Sequence, residues 1–209
     1  PPKGQHLLLS AFAKLAAAHP DAHVVVLGGA ADAAYLAAQR AATTRLGLAG
    51  RVHWVGRRDD VHAFHQLAVA LVQPSFFEGW SLAITEAVLA ELPVIATDVG
   101  GAVEQLRGTD GVLLPAAVPD VTAIDADSLM PMLEGRHPEL EARLADAMRE
   151  VLRRGGARSR MPDDWEGLLR DAAYRRCAEA FHWLAGGGGA AAARHWLRPA
   201  AAPAAMGAS

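Results

Sequence analysis

Residues 77–91 read FEGWSLAITEAVLAE, and residues 93–101 follow as PVIATDVGG. Glu78 sits in a glycine-containing loop, and Glu86 lies eight positions on, inside the helix that the loop opens. Leu82, Thr85 and Leu89 recur at i, i+3 and i+7, which predicts one apolar helix face turned to a sheet. Pro93 marks the end of that helix, and residues 94–97 then read as a buried strand. A loop feeding a helix N-terminus offers free backbone N–H groups and the positive end of the dipole, which suits a phosphate. At ~1.5 Å rise per residue the two carboxylates stand roughly 12 Å or less apart. That is about the span from a nucleotide's ribose, past its phosphates, to a group attached beyond them.

Upstream, the chain alternates helices with short apolar runs. A turn at Pro1-Pro2-Lys3-Gly4 leads to a helix over 6–18, with Leu8, Phe12 and Leu15 on one side. Residues 23–27, HVVVL, form a strand ending in Gly28-Gly29. The glycines do not make a dinucleotide fingerprint, since the required G-x-G-x-x-G is replaced by G-G-A-A-D-A. A helix over 31–46, a strand over 51–55, a helix over 61–68 and a strand over 69–73 complete the approach to the Glu78 loop. His62 and His65 read as a solvated helix face, because no carboxylate or H-E-x-x-H pattern accompanies them. Downstream, Asp98-Val99-Gly100-Gly101 turns into a helix over 102–106. A last strand covers 112–114. This order predicts an α/β domain, a Rossmann-like doubly wound parallel sheet over 1–115. The loops at Gly56, 77–81 and 98–101 all leave strands at the carboxyl edge, where ligands bind in such sheets.

After Pro115 two amphipathic helices are expected, over 137–154 and 162–184, as a helical extension packing on the sheet domain. Asp125-Ala126-Asp127 spells D-x-D, but it precedes a helix, and Asp127 is read as an N-cap, with no metal implied. Residues 185–209 are a low-complexity tail. The chain has 209 residues, one cysteine (Cys177) and a net charge of −3. That charge gives no electrostatic case for a nucleic-acid or anionic-membrane partner. No apolar run reaches the ~20 residues of a membrane span, and a lone cysteine suits a reducing compartment. A cytoplasmic location is expected.

The string E-G-x-S-L-x-x-x-E with L-P-V-I-A-T-D-V-G-G behind it resembles the C-terminal nucleotide-binding domain of the retaining, GT-B-fold glycosyltransferase family 4. The similarity runs from Lys3-Gly4 to about Pro115 and returns faintly near Trp165. It implies transfer of a sugar from a nucleotide-sugar donor, with retention, no cofactor and no obligatory metal. Taken alone Lys3 is an ordinary solvated lysine; the resemblance places its ammonium on the donor diphosphate. It likewise implies Val55, Gly56 and Arg57 around the base, Gly79, Trp80, Ser81 and Leu82 along the donor, and Glu86 on the ribose hydroxyls. Glu78 would take the catalytic place, binding donor-sugar hydroxyls while its charge favours an oxocarbenium-like state. Trp80 packs either on the sugar or on neighbouring loops. The family also has a strand just upstream of the Lys3-Gly4 pair and an N-terminal acceptor-binding domain, so the chain is expected to be a fragment. The alternative is a non-catalytic nucleotide-sugar-binding or partner module. Epimerases and sugar-phosphate synthases of the same fold rank lower, lacking the two-glutamate string.

Overall fold

The computed structural model of the chain describes residues 2–29, 32–118 and 124–159. Helices and strands alternate as α1 (Gln5–Ala16), β1 (Val24–Leu27), α2 (Ala33–Arg45), β2 (Val52–Gly56), α3 (Val61–Leu67), β3 (Leu71–Gln73), α4 (Leu82–Leu89), β4 (Val94–Thr97), α5 (Ala102–Leu106) and β5 (Val112–Leu114). Two further helices follow, α6 (Ala126–Glu134) and α7 (Pro138–Arg153). The expected helix over 162–184 and the tail lie outside the described residues.

All strand pairings are parallel, as an α/β alternation requires. They fall into two sheets, β1-β2 and β3-β4-β5, rather than one continuous sheet. The registers pair Val24 with Val52, Leu71 with Val94, and Ile95 with Val112. Among the described strands β4 alone is buried at every position. Its side chains alternate, so Ile95 joins a core with Leu7, Phe12 and Leu15 of α1 and Leu144, Met148 and Val151 of α7. Val94 and Ala96 face the opposite way, into Ile84 and Ala87 of α4 and Ala102 and Leu106 of α5. Helices therefore cover both faces of the three-stranded sheet.

The helix that follows the Glu78 loop turns a different stripe inward from the one its sequence suggests. Leu82 is 71% exposed and Leu89 42%, whereas Ile84 and Ala87 are fully buried. Both stripes are apolar, so periodicity alone does not choose between them. The choice follows from Ser81, whose hydroxyl accepts from the Ile84 N–H at 3.3 Å and fixes where the first turn begins. A second correction concerns α6. Asp125, not Asp127, is its N-cap: the Asp125 carboxylate accepts from the Ser128 N–H at 2.8 Å, and Ser128 Oγ accepts from the Asp125 N–H at 3.0 Å. This reciprocal box satisfies two orphan donors, and Asp127 sits in the first turn where the dipole favours it. A third is His65, which is buried while His62 is exposed.

Two polar clamps tie the elements together. Arg51 ends the first βα unit: its guanidinium donates to the carbonyls of Ala16 (2.7 Å), Ala22 (2.8 Å) and His19, and lies over the Phe12 ring. It thus satisfies carbonyls left open at the end of α1. Glu141, fully buried on α7, accepts two hydrogen bonds of 2.7 Å from Arg136 and lies 3.7 Å from Lys14 of α1. The hydrogen bonds from Arg136 hold its carboxyl below the usual glutamate value, against the opposing pull of burial.

A lowered folded-state pKa contributes stability that is present above the unfolded value and lost as pH falls through the folded one. Glu141→Gln is therefore expected to lower unfolding free energy at neutral pH by about 1–3 kcal/mol. In urea titrations its difference from wild type should shrink as pH drops below the ordinary carboxylate range. A difference independent of pH would show that shape, not charge, holds α7 to α1.

Candidate functional site

The site assembles at the carboxyl ends of β3 and β4. β3 ends at Gln73, and the chain then turns through Pro74-Ser75-Phe76 into the Glu78 loop. Two glycines allow the neighbouring segments to close on it. Gly4, the N-cap of α1, has φ 65°, and a Cβ there would stand 2.0 Å from the Pro74 carbonyl oxygen. That close approach places Lys3 beside Glu78. Gly100, after β4, has φ 58°, and a Cβ would stand 2.3 Å from the Glu78 carbonyl oxygen and 2.5 Å from that of Gly79. The Gly101 N–H donates to the Gly79 carbonyl at 2.7 Å. The Gly-Gly pair therefore lets the 98–101 segment lie flat against the Glu78 loop.

The Glu78 side chain is 8% exposed, and one of its oxygens collects three donors. Lys3 Nζ lies 2.7 Å from Oε1, Ser75 Oγ donates at 2.7 Å, and Gln73 Nε2 donates at 2.9 Å. Gln73 also accepts from Ser81 Oγ at 2.9 Å. One amide thus connects the strand tip, the acidic loop and the cap of α4. Behind it, the buried Gln105 of α5 donates to the Ser81 carbonyl and to Thr85 Oγ1, both at 2.7 Å. Thr85 Oγ1 also accepts from Trp80 Nε1 at 3.1 Å. Trp80 packs over Gly101, whose Cβ position lies 2.5 Å from Trp80 Cε3. Of the two expectations for Trp80, the structure shows the loop contact.

The structure thus brings Lys3, Glu78, Gly79, Trp80 and Ser81 into one connected group, with Leu82 exposed at its rim. Glu86 is exposed one turn further along α4. Among the described residues its carboxylate accepts no hydrogen bond, and its charge is felt by His65 on α3, where it opposes the lowering of the imidazole pKa by burial. Val55, Gly56 and Arg57 lie at the tip of β2, in the other sheet, and are exposed. No hydrogen bond or ion pair among the described residues links them, or Glu86, to the Glu78 group.

Sequence reasoning missed Gln73, Ser75, Thr85 and Gln105. Gln73 carried a signal, being a lone amide at the end of an apolar strand. Gln105 carried a weaker one, in a short helix otherwise apolar but for Glu104.

Chemically the group offers a cation on an exposed, mobile-length side chain, a carboxylate fixed by neutral donors, and a capped helix start. The Lys3 side chain is 56% exposed, while the glutamate side chain it pairs with is nearly covered. A surface cation held by one partner exchanges readily for a stronger anion.

A family profile described as "Glycosyl transferases group 1" matches residues 1–130. The lipopolysaccharide core biosynthesis mannosyltransferase LpsB of Rhizobium meliloti (strain 1021) is 28% identical over 149 residues, covering 70% of this chain and 42% of that protein. The crystal structure of Anabaena HepE in complex with UDP-glucose superposes with a TM-score of 0.52 and 26% identity, over 74% of this chain and 42% of that one. Sucrose-phosphate synthase of Thermosynechococcus elongatus shares the fold at a TM-score of 0.51 and 23% identity, over 86% of this chain and 43% of its own. The chain spans well under half the length of each.

Backbone packing, more than the ion pair, is expected to hold the loops together. Gly100→Ala should cost more than ~2 kcal/mol, the sum of a left-handed alanine and displaced carbonyls. Lys3→Ala should cost less than about 1 kcal/mol, because an exposed cation contributes little. Denaturant unfolding of both variants checks this, and the reverse ranking would contradict it.

Proposed function

The chain belongs to the family of glycosyl transferases group 1, and we propose that it supplies the donor-binding half of a retaining glycosyltransferase acting on a nucleotide sugar. In this proposal it acts in the cytoplasm together with an N-terminal acceptor-binding domain. The observation that carries the proposal is the Lys3–Glu78 pair at the strand tips, on a carboxylate already fixed by Gln73 and Ser75.

Sugar transfer leaves negative charge on a nucleoside diphosphate, so the site must present cations and N–H donors where that charge grows. Lys3 would leave Glu78 and engage the diphosphate. The N–H groups at the start of α4 would add the positive end of the helix dipole. Glu78, released from the ammonium but still held by Gln73 and Ser75, would turn its free lone pairs to hydroxyls of the donor sugar. Its charge would also favour a cationic, oxocarbenium-like state at the anomeric carbon. This is a binding and electrostatic task; Glu78 is not assigned as a nucleophile. The Glu86 carboxylate, exposed and without a hydrogen bond among the described residues, would accept from the ribose hydroxyls. Val55, Gly56 and Arg57 would meet the base mainly through backbone groups.

A thermal-shift and calorimetry panel of UDP-, GDP- and ADP-sugars tests this. One nucleotide class is expected to stabilise the wild type. Glu86→Ala should weaken its binding by about 1–3 kcal/mol, the cost of unpaired hydroxyl contacts. Equal binding by wild type and Glu86→Ala would remove the ribose role, and no shift with any nucleotide sugar would remove donor binding.

A further inference from the structure

The two carboxylate oxygens of Glu78 have unequal surroundings. Oε1 collects Lys3, Ser75 and Gln73, whereas Oε2 accepts from no described residue and keeps contact with solvent. The terminal torsion of a glutamate is broad, so its own rotamer does not fix which way the carboxylate faces. Its donors must do that, and the three differ in how firmly they hold. Lys3 is largely in water and reaches from a flexible four-carbon stem. The Ser75 hydroxyl is buried but turns about its own C–O bond. Gln73 presents a planar amide that is held at its far end as well.

The far end supplies a direction. An ionised carboxylate only accepts, so Gln73 turns its NH2 group toward Glu78 and its carbonyl oxygen away. That oxygen meets Ser81 Oγ at 2.9 Å, and the serine must donate its single proton there. The lone pairs of Ser81 Oγ are left for the Ile84 N–H at 3.3 Å, the bond that caps α4. The Ser81 backbone is pinned in turn by Gln105, which accepts from its N–H at 3.4 Å and donates to its carbonyl at 2.7 Å. The series therefore runs one way, from Ile84 N–H to Ser81, from Ser81 to Gln73, and from Gln73 to Glu78. Hydrogen bonds aligned head to tail polarise one another, so each is stronger than it would be alone. A flipped Gln73 would set its carbonyl against the carboxylate. Ser81, for its part, has no proton left for a phosphate oxygen while Gln73 holds it.

We propose that Gln73 is a positioning residue for recognition of the donor sugar. Anchored by Ser81, it keeps Glu78 Oε1 turned inward once Lys3 leaves, so that Oε2 alone meets a sugar hydroxyl. Ser81 acts through Gln73 and not by touching the donor. This rests on the donor-binding function proposed above and deepens it: a residue outside the two-glutamate string gives Glu78 its aim.

The test has two arms on the full 209-residue chain. The first needs no ligand. Ser81 and Glu78 share no hydrogen bond among the described residues, yet denaturant unfolding of Ser81→Ala, Glu78→Ala and the double variant should show a coupling of about threefold or more in the unfolding equilibrium. The coupling should vanish when the cycle is repeated on Gln73→Leu. The second arm is calorimetry of a nucleoside diphosphate and of its nucleotide sugar, read as the ratio of the two affinities. Gln73→Leu should cut that ratio about tenfold, with a smaller change in diphosphate affinity. Gln73→Glu adds a pH profile. Ionised, the introduced carboxylate has no proton to donate and repels Glu78, so the ratio falls. Protonated, it offers one donor and one acceptor as the amide does, so the ratio recovers as pH drops through the upper titration step of the pair.

Equal loss of both ligands without recovery at low pH would overturn the proposal, since a merely structural role predicts it. A coupling that survives Gln73→Leu, or is absent from the wild type while nucleotide sugars bind, would overturn it and leave the donor-binding reading standing. Failure of every nucleotide sugar to bind the wild type, with the coupling as expected, would overturn it through the donor-binding reading instead.

Discussion

One carboxylate oxygen, Glu78 Oε1, organises the tips of the three-stranded sheet. It is nearly buried, and such a group is tolerable only when donors replace the water it has lost. Ser75 and Gln73 do so from β3's end, and Lys3 does so from the turn before α1. Each donor comes from a segment whose position is set elsewhere. β3 is placed by its ladder to β4, and Lys3 by the close seat of Gly4 on Pro74. The demand of a single oxygen for partners thus fixes the mutual position of the first turn, the strand end and the acidic loop.

The layers behind the site serve that geometry. β4, buried on both faces, carries α4 and α5 on one side and α1 and α7 on the other. Thr97 at its end donates to the Ser75 carbonyl at 2.5 Å, and Gly100 lies directly on the loop backbone. The Glu141 clamp and the Arg51 clamp keep α1 in place from its far side, so the turn bearing Lys3 cannot drift. Packing therefore leaves Lys3 as the donor to Glu78 that is free to change partner, because of the three donors it alone is largely in water.

Much of this was legible in the chain's text, and the misses have physical causes. The apolar, β-branched runs at residues 24–27 and 94–97 announce parallel strands without ambiguity. The Gly-Gly after β4 announces a close approach, though not that its neighbour is the 78–79 backbone. In the helix after Glu78 periodicity points to the wrong buried stripe because apolar residues lie on more than one face, and the Ser81 cap decides the rotation. Asp125 and Asp127 are equally good caps by residue type; the reciprocal hydroxyl of Ser128 selects the first. His65 reads as polar but is covered by burial that no local pattern encodes. Gln73 and Gln105 join residues far apart in the chain, and such long-range amide bridges leave no periodic trace. The split into two sheets is also invisible locally, since β1 and β3 look like ordinary interior strands.

In the proposed mode of action Lys3 exchanges Glu78 for the donor's diphosphate while Glu78 turns to the sugar. Calorimetry of a nucleoside diphosphate and of its nucleotide sugar, on wild type, Lys3→Ala and Glu78→Gln, separates the two halves of that exchange. Lys3→Ala should weaken both ligands, whereas Glu78→Gln should spare the diphosphate and abolish the extra affinity contributed by the sugar. Unchanged binding in Lys3→Ala, or an equal loss of both ligands in Glu78→Gln, would contradict the account.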